Sequence, residues 1–236
     1  RPLLSCDGVL THFANSDLSV SESESESESE ELSEASGVQP SVASQVERFD
    51  RCITDLDLMA LPQSLAQSLA NSGAILNYPT THRSVVRPGI MLYGSSPLIN
   101  KDKHDELLKP VMTLKSKIIA SHTVTTGESI GYGDSWIANK TTRVGIVAIG
   151  YGDGYPRSAP SGTPVWCQGK YLQTLGRVSM DMLCIDISEE ADIDVGSEVE
   201  LWGEHVNANE VAKLSKTISY ELFCQLTPRV KRTYTE

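Results

Sequence analysis

The stretch ESIGYGDSWIANKTTRVGIVAIGYGDGYPR, Glu128 to Arg157, holds the tetrapeptide Gly-Tyr-Gly-Asp twice, at Gly131 to Asp134 and at Gly150 to Asp153. The first copy follows polar TTGES and precedes SWIANK; the second follows the apolar run VGIVAI and precedes GYPRSA. A duplication would leave matching flanks. These do not match, so the two copies read as separate turns rather than an internal repeat. Flanking glycines free the backbone for angles other residues resist and leave the phenol between them unobstructed. On local sequence alone, each tyrosine can be an ordinary turn residue or a working one. The run between the copies, TRVGIVAIG, favours β-structure, and TPVWCQG, MLCIDIS and SEVELWG follow it at close intervals, separated by turn residues. The pattern predicts a β-rich region from about Val111 onward. Two short helices should finish it: NANEVAKL, with a capping box from Asn207 to Glu210, and SYELFCQL.

Upstream the texture differs. Val42, Val46, Phe49, Ile53 and Leu56 recur at helical spacing, with Ser41 as a cap and Pro62 as a stop. AQSLANSGAILNYP predicts a strand that turns at Asn71-Ser72 into a short helix closed by Pro79. SVVRPGIMLYG predicts an apolar strand interrupted at Arg87-Pro88-Gly89. Strand, helix, strand in this order predicts parallel α/β layering. The charged linker INKDKHDELLKP then separates residues 1–105 from residues 106–236.

With 236 residues and 39% apolar content, the chain can fill a core. Its longest apolar run, Val144 to Ile149, is far short of the roughly 20 residues that cross a bilayer. The net charge of -11 comes largely from Asp17 to Glu34, which holds eight acidic residues and no basic one. The remainder is only slightly acidic, so nothing points to nucleic acid or to a membrane as partner. Within that segment SESESESESEEL, Ser21 to Leu32, lacks apolar anchors, and a disordered insert over about 18–38 is expected. RVKR, Arg229 to Arg232, reads as a solvated end. Five scattered cysteines without a Cys-x-x-Cys pair argue against a disulfide framework or a zinc site, and favour a reducing compartment. RPLLSCDGVL has neither an initiator Met nor the apolar stretch of a secretory signal, so a fragment entered midway is the expectation.

Three places invite chemistry. Arg87, in an apolar context, needs a partner, because an unpaired buried guanidinium is costly. His12, in VLTHFA at the end of another predicted strand, is one candidate and a ligand acceptor is another; His12 also fits a satisfied core position. At Asn71-Ser72-Gly73 a strand feeds a helix N-terminus, whose free N–H groups suit a phosphate. Gly89-Ile90 is a second place where backbone can approach an anion.

Seven blocks, THFA, SLANSGA, VRPGIMLYG, SIGYGDSW, IGYGDGYPR, LGRVSMDM and ISYELFCQL, together closely resemble alanine racemase, a pyridoxal 5'-phosphate (PLP) enzyme of fold type III. The resemblance covers nearly the whole chain except the Ser/Glu insert. It implies the C-terminal part of a TIM-like (β/α)8 barrel followed by a mainly β C-terminal domain. It further implies interconversion of L- and D-alanine for peptidoglycan, in a cytoplasmic homodimer whose active sites are shared between subunits. Racemisation needs an acid and a base on opposite faces of the reacting carbon. The family uses a Schiff-base lysine on one face and, on the other, the tyrosine matched by Tyr132, lent across the dimer. Tyr151 matches a tyrosine at the substrate entrance. Arg87 matches the arginine facing the PLP ring nitrogen, and His12 its orienting partner. Ser72 with the backbone of Gly89 and Ile90 matches the phosphate cradle, and Met180 matches the backbone N–H on the substrate carboxylate, with Asp181 beside it structural. Three family features have no counterpart here: the KANAYGHG block carrying the lysine, an arginine upstream of THFA, and a phosphate-contacting tyrosine where this chain has Pro228. The chain alone is therefore expected to be inactive. A broad-spectrum amino-acid racemase and a non-catalytic truncated dimerisation module are the alternative readings.

Overall fold

The computed structural model describes residues 6–17, 42–57, 65–98 and 107–235. The Ser/Glu insert, Ser41, Pro62 and most of the charged linker lie outside the described residues. The chain divides into two compact units, 1–109 and 110–236.

The first unit contains β1 (Gly8–Leu10), α1 (Val42–Asp57), β2 (Ala66–Ser68) and α2 (Ser72–Asn77). β1 and β2 pair in parallel, Gly8 opposite Ala66 and Leu10 opposite Ser68. The helical spacing read from sequence builds the stripe that α1 buries. Val42 and Phe49 are buried, Val46 and Ile53 pack beside them, and the stripe meets Phe13, Leu69, Ala70 and Ala74. At the turn out of β2, the Asn71 side chain accepts from the Ala74 N–H at 3.0 Å and so caps α2.

The strand expected over SVVRPGIMLYG does not form. Val85 N–H donates to the Gln67 carbonyl and Arg87 N–H to the Ala70 carbonyl. Donors two residues apart thus reach acceptors three apart, and a ladder cannot propagate. Pro88 then offers no N–H at all, and the chain turns into a 3₁₀ helix, Ile90–Tyr93, closed by Gly94 at φ 74°.

The second unit runs β3 (Leu114–Val124), β4 (Ser129–Ile130), β5 (Trp136–Ile137), β6 (Thr142–Val147), β7 (Pro164–Cys167), β8 (Lys170–Leu175), β9 (Leu183–Asp186), β10 (Glu198–Trp202), α3 (Ala208–Leu214) and α4 (Ser219–Gln225). Six strands close into a barrel in the order β10-β3-β6-β9-β8-β7. Every pairing around it is antiparallel, and closure leaves no edge. The four runs picked out by composition are β6, β7, β9 and β10. β7 and β8 join through Gln168-Gly169, both at positive φ as a two-residue hairpin turn requires.

Inside, Val147, Val165, Ile185, Val199 and Leu201 are fully buried. Each contributes about 1.5–3 kcal/mol by leaving water. Trp202 stacks on Tyr155, with centroids 5.8 Å apart and planes at 15°. At α3, Asn207 Oδ1 accepts from Asn209 N–H at 2.8 Å, while Glu210 N–H goes to the Asn207 carbonyl. The side-chain cap thus serves the second helical N–H instead of the third, which the capping-box pattern required.

Candidate active site

In the first unit the guanidinium of Arg87 is held from five directions. Nη1 donates to Ser68 Oγ at 2.6 Å and to the Ser68 carbonyl at 3.0 Å. Nη2 donates to the carbonyls of Thr11 at 2.8 Å and Leu69 at 3.3 Å, and lies 3.4 Å from His12 Nδ1. The Thr11 and Leu69 carbonyls come from the residues just after β1 and β2, and the Ser68 carbonyl, at the end of β2, also accepts the Thr11 N–H. Arg87 is therefore paired mostly with backbone, and His12 is the weakest of its five contacts. His12 is exposed, which removes the core-histidine reading. Among the described residues, no acceptor takes the Arg87 Nε–H.

Ser72, the first residue of α2, is buried at 2% exposure. Its Oγ accepts the Gly89 N–H at 2.8 Å and lies 3.5 Å from Met91 N. This brings Ser72 to the Gly89-Ile90 backbone, which the sequence placed in a separate motif. The Ile90 N–H has no acceptor among the described residues.

In the second unit the two Gly-Tyr-Gly-Asp copies are physically different, as their flanks indicate. The first lies between β4 and β5. Gly131 at φ 81° and Gly133 at φ 73° adopt angles costly for other residues, and Tyr132 between them begins a one-turn 3₁₀ segment. Asp134, at φ 47°, accepts from Ser129 Oγ at 2.6 Å and closes the turn. Tyr132 is 70% exposed, and its hydroxyl bonds to no described residue.

The second copy uses its glycines for close approach. A Cβ on Gly150 would stand 2.2 Å from the Ser179 carbonyl oxygen and 2.4 Å from that of Met180. Tyr151 N–H donates to the Ser179 carbonyl at 3.0 Å and Gly152 N–H to that of Met180 at 2.8 Å. The turns carrying Tyr151 and Met180 are thereby joined, and the Met180 N–H itself remains without a described acceptor. A cleft of about 370 Å³ is lined by Ser135, Arg157, Ser161 and Arg177 among others. Arg157 lies 6.0 Å from the Tyr151 ring centroid, and Arg177 lies against Gly131 and Gly133. Residues touching both tyrosine turns thus line one cleft.

Residues 111–234 match the alanine racemase C-terminal domain and residues 1–97 the alanine racemase N-terminal domain. The chain belongs to the alanine racemase family. The alanine racemase of Hahella chejuensis is 54% identical over 167 residues, 71% of this chain and 45% of its own. The biosynthetic alanine racemase of Pseudomonas aeruginosa superposes with a TM-score of 0.80 at 40% identity, covering 97% of this chain and 57% of that one. The alanine racemase of Bartonella henselae, solved with covalently bound pyridoxal phosphate, gives 0.78 at 27% identity over 97% of this chain and 56% of that one. The chain spans about half the length of the curated alanine racemases it matches. The fold class is that of these alanine racemases, a TIM-like barrel portion followed by a β domain. Among the described residues, no helix is long and apolar enough to cross a membrane.

Against this family background, sequence reading missed the residues that hold others in place. Ser68 and Thr11 carry Arg87 more than His12 does. Arg229 lies in the RVKR segment read as a solvated end, yet it pairs with both Asp153 and Asp181. No local pattern signals this pairing, because Arg157 and Arg177 stand much nearer to the two acids in sequence than Arg229 does.

Proposed function

We propose that this chain carries the cofactor-cradling and tyrosine-bearing parts of a PLP-dependent alanine racemase, which interconverts L- and D-alanine as a homodimer with shared active sites. The observation that carries the reading is Tyr132, an exposed, unbonded phenol on a turn bounded by two glycines at positive φ. A side chain so presented is free to work in a neighbouring subunit.

The residues present fit PLP. Ser72 uses its oxygen to accept from Gly89 and keeps its hydroxyl hydrogen for a phosphate oxygen. The Ile90 N–H is a second free donor beside it. Three of the five contacts on Arg87 are to backbone carbonyls and a fourth is to Ser68 Oγ, which together hold the guanidinium and leave its Nε–H unused. A guanidinium does not give up its proton, so Arg87 would donate a hydrogen bond to the ring nitrogen and leave it unprotonated. His12 would help orient that arginine. When bound, PLP serves as the electron sink that makes the α-hydrogen of alanine removable.

The remaining roles belong to the β domain. Tyr132 would hold or move a proton at Cα on one face, and a lysine would serve the other. The Met180 N–H would bind the substrate carboxylate, and Tyr151 would wall the substrate side. These 236 residues contain no lysine in the family's KANAYGHG context, so by themselves they would not turn over alanine. The test is a full-length family chain carrying these residues, assayed for interconversion of L- and D-alanine by chiral chromatography before and after removal of PLP. PLP-dependent interconversion supports the reading, and a chain that loads PLP but leaves both enantiomers unchanged refutes it.

A further inference from the structure

Three distant segments of the β domain converge on one guanidinium. Arg229 Nε lies 3.2 Å from Asp153 Oδ1, and its Nη2 donates to Asp181 Oδ1 at 2.6 Å. Asp153 closes the turn that presents Tyr151, and Asp181 follows Met180. Arg229 Nη1 lies 2.6 Å from where a Cβ on Gly152 would be, so the guanidinium rests across Gly152. The other oxygen of Asp153 accepts the Gly150 N–H at 3.0 Å, which fixes the carboxylate within its own turn.

The tail carrying Arg229 is also fastened by uncharged bonds. Thr227 N–H donates to the Asp153 carbonyl and Thr227 Oγ1 to the Gly152 carbonyl, each at 3.0 Å. The segment after α4 is thus stitched to the Tyr151 turn, that turn is stitched to Ser179 and Met180, and Arg229 closes the triangle. An arginine suits this place. Its planar fork meets two carboxylates in fixed directions, which a lysine ammonium on a flexible stem does not.

We propose that Arg229 is a positioning residue that couples the Tyr151 turn to the Met180 turn and so sets the geometry in which the substrate carboxylate and side chain are received. The proposal rests on the reading of Tyr151 and Met180 as substrate-facing. Arg229 and Asp181 are half-exposed and Asp153, though mostly covered, keeps the Gly150 N–H as a partner; ion pairs to so exposed a guanidinium add little to stability, so the consequence lies in alignment rather than in folding.

The test begins with amide NMR of this 236-residue chain. Arg229→Gln is expected to shift the amides of both Tyr151 and Met180, and Asp181→Asn to shift Gly150 to Asp153, which Asp181 does not itself bond. Trp fluorescence should give a urea midpoint close to the parent's in both variants. Shifts confined to 227–231 in the first variant and to 179–182 in the second overturn the proposal. In a full-length family chain, Arg229→Gln should raise KM for alanine roughly three- to thirtyfold with kcat nearly unchanged, because the interaction lost is one made equally in ground and transition states. Arg229→Lys should restore less than half of that loss on a logarithmic scale. An unchanged KM overturns the proposal. Tyr132→Phe, made in parallel, does not involve Arg229: if it abolishes proton exchange at one face while Arg229→Gln leaves KM alone, the proposal fails and the reading of the site stands.

Discussion

Gly150→Ala is the sharpest perturbation of the join between the Tyr151 and Met180 turns. The new methyl would lie 2.2 Å and 2.4 Å from two carbonyl oxygens, and both belong to backbone that cannot rotate away. The turns must separate, and the bonds Tyr151 N–H to Ser179 and Gly152 N–H to Met180 are lost together. The two lost hydrogen bonds cost about 1–3 kcal/mol, and forcing a methyl against fixed backbone adds about 1–3 kcal/mol, roughly 2–6 kcal/mol together. That is a large share of the ~5–15 kcal/mol that holds a domain folded. All three tryptophans, Trp136, Trp166 and Trp202, lie in the 110–236 unit, so their fluorescence in urea reports that unit alone. With slopes of about 1–3 kcal/mol per molar urea, the midpoint should fall on the order of 1–3 M. Gly162→Ala is the control: φ there is +92° but nothing stands within 4 Å, so only backbone strain of about 1–2 kcal/mol is added. A Gly150→Ala midpoint no lower than that of Gly162→Ala would refute the close approach on which the joined turns depend.

Two further outcomes follow from buried polar groups in the barrel. The Tyr155 hydroxyl is buried with no hydrogen-bond partner among the described residues, and burial pushes its pKa well up. Tyr155→Phe should therefore leave the Trp202 stack intact and stabilise the unit by about 1–3 kcal/mol, read as a higher urea midpoint. For Glu200, burial pushes the carboxyl pKa up, but hydrogen bonds from the His205 ring and from the N–H groups of Val206 and His205 outweigh it and hold the pKa below its ordinary 4.5. A depressed carboxyl pKa gives stability that is fully present above 4.5 and is lost as pH falls through the lower folded value. Urea midpoints should fall more steeply below that pH in the parent than in Glu200→Gln, and parallel curves would count against the Glu200 network.

How much was legible in the sequence follows from what each pattern reports. The strands β6, β7, β9 and β10 are dense in β-branched and aromatic residues, and composition alone marked them. β3 went unmarked although it is the longest strand. Its sequence, LKSKIIASHTV, sets buried Leu114 and Ile118 among exposed Lys115, Lys117 and Ile119, and its pairing with β6 and with the distant β10 is what makes it a strand. SVVRPGIMLYG looked like a strand because apolar content carries no information about hydrogen-bond register, and the mismatch at Val85 and Arg87 decides the outcome. The residues at the candidate site were legible because each sits in a short motif with its own backbone signature. Their supports were not: carbonyls on Arg87 carry no residue code, and Arg229 meets Asp153 and Asp181 from a distance in sequence that no local pattern spans.

The central claim is that Tyr132 moves a proton at one face of the substrate carbon only. In deuterated water, a full-length family chain carrying Tyr132→Phe should still wash deuterium into Cα of one enantiomer of alanine without inversion. The other enantiomer should lose exchange by orders of magnitude, while PLP content stays at the parent level. Equal loss of exchange from both enantiomers, or equal retention in both, would contradict it.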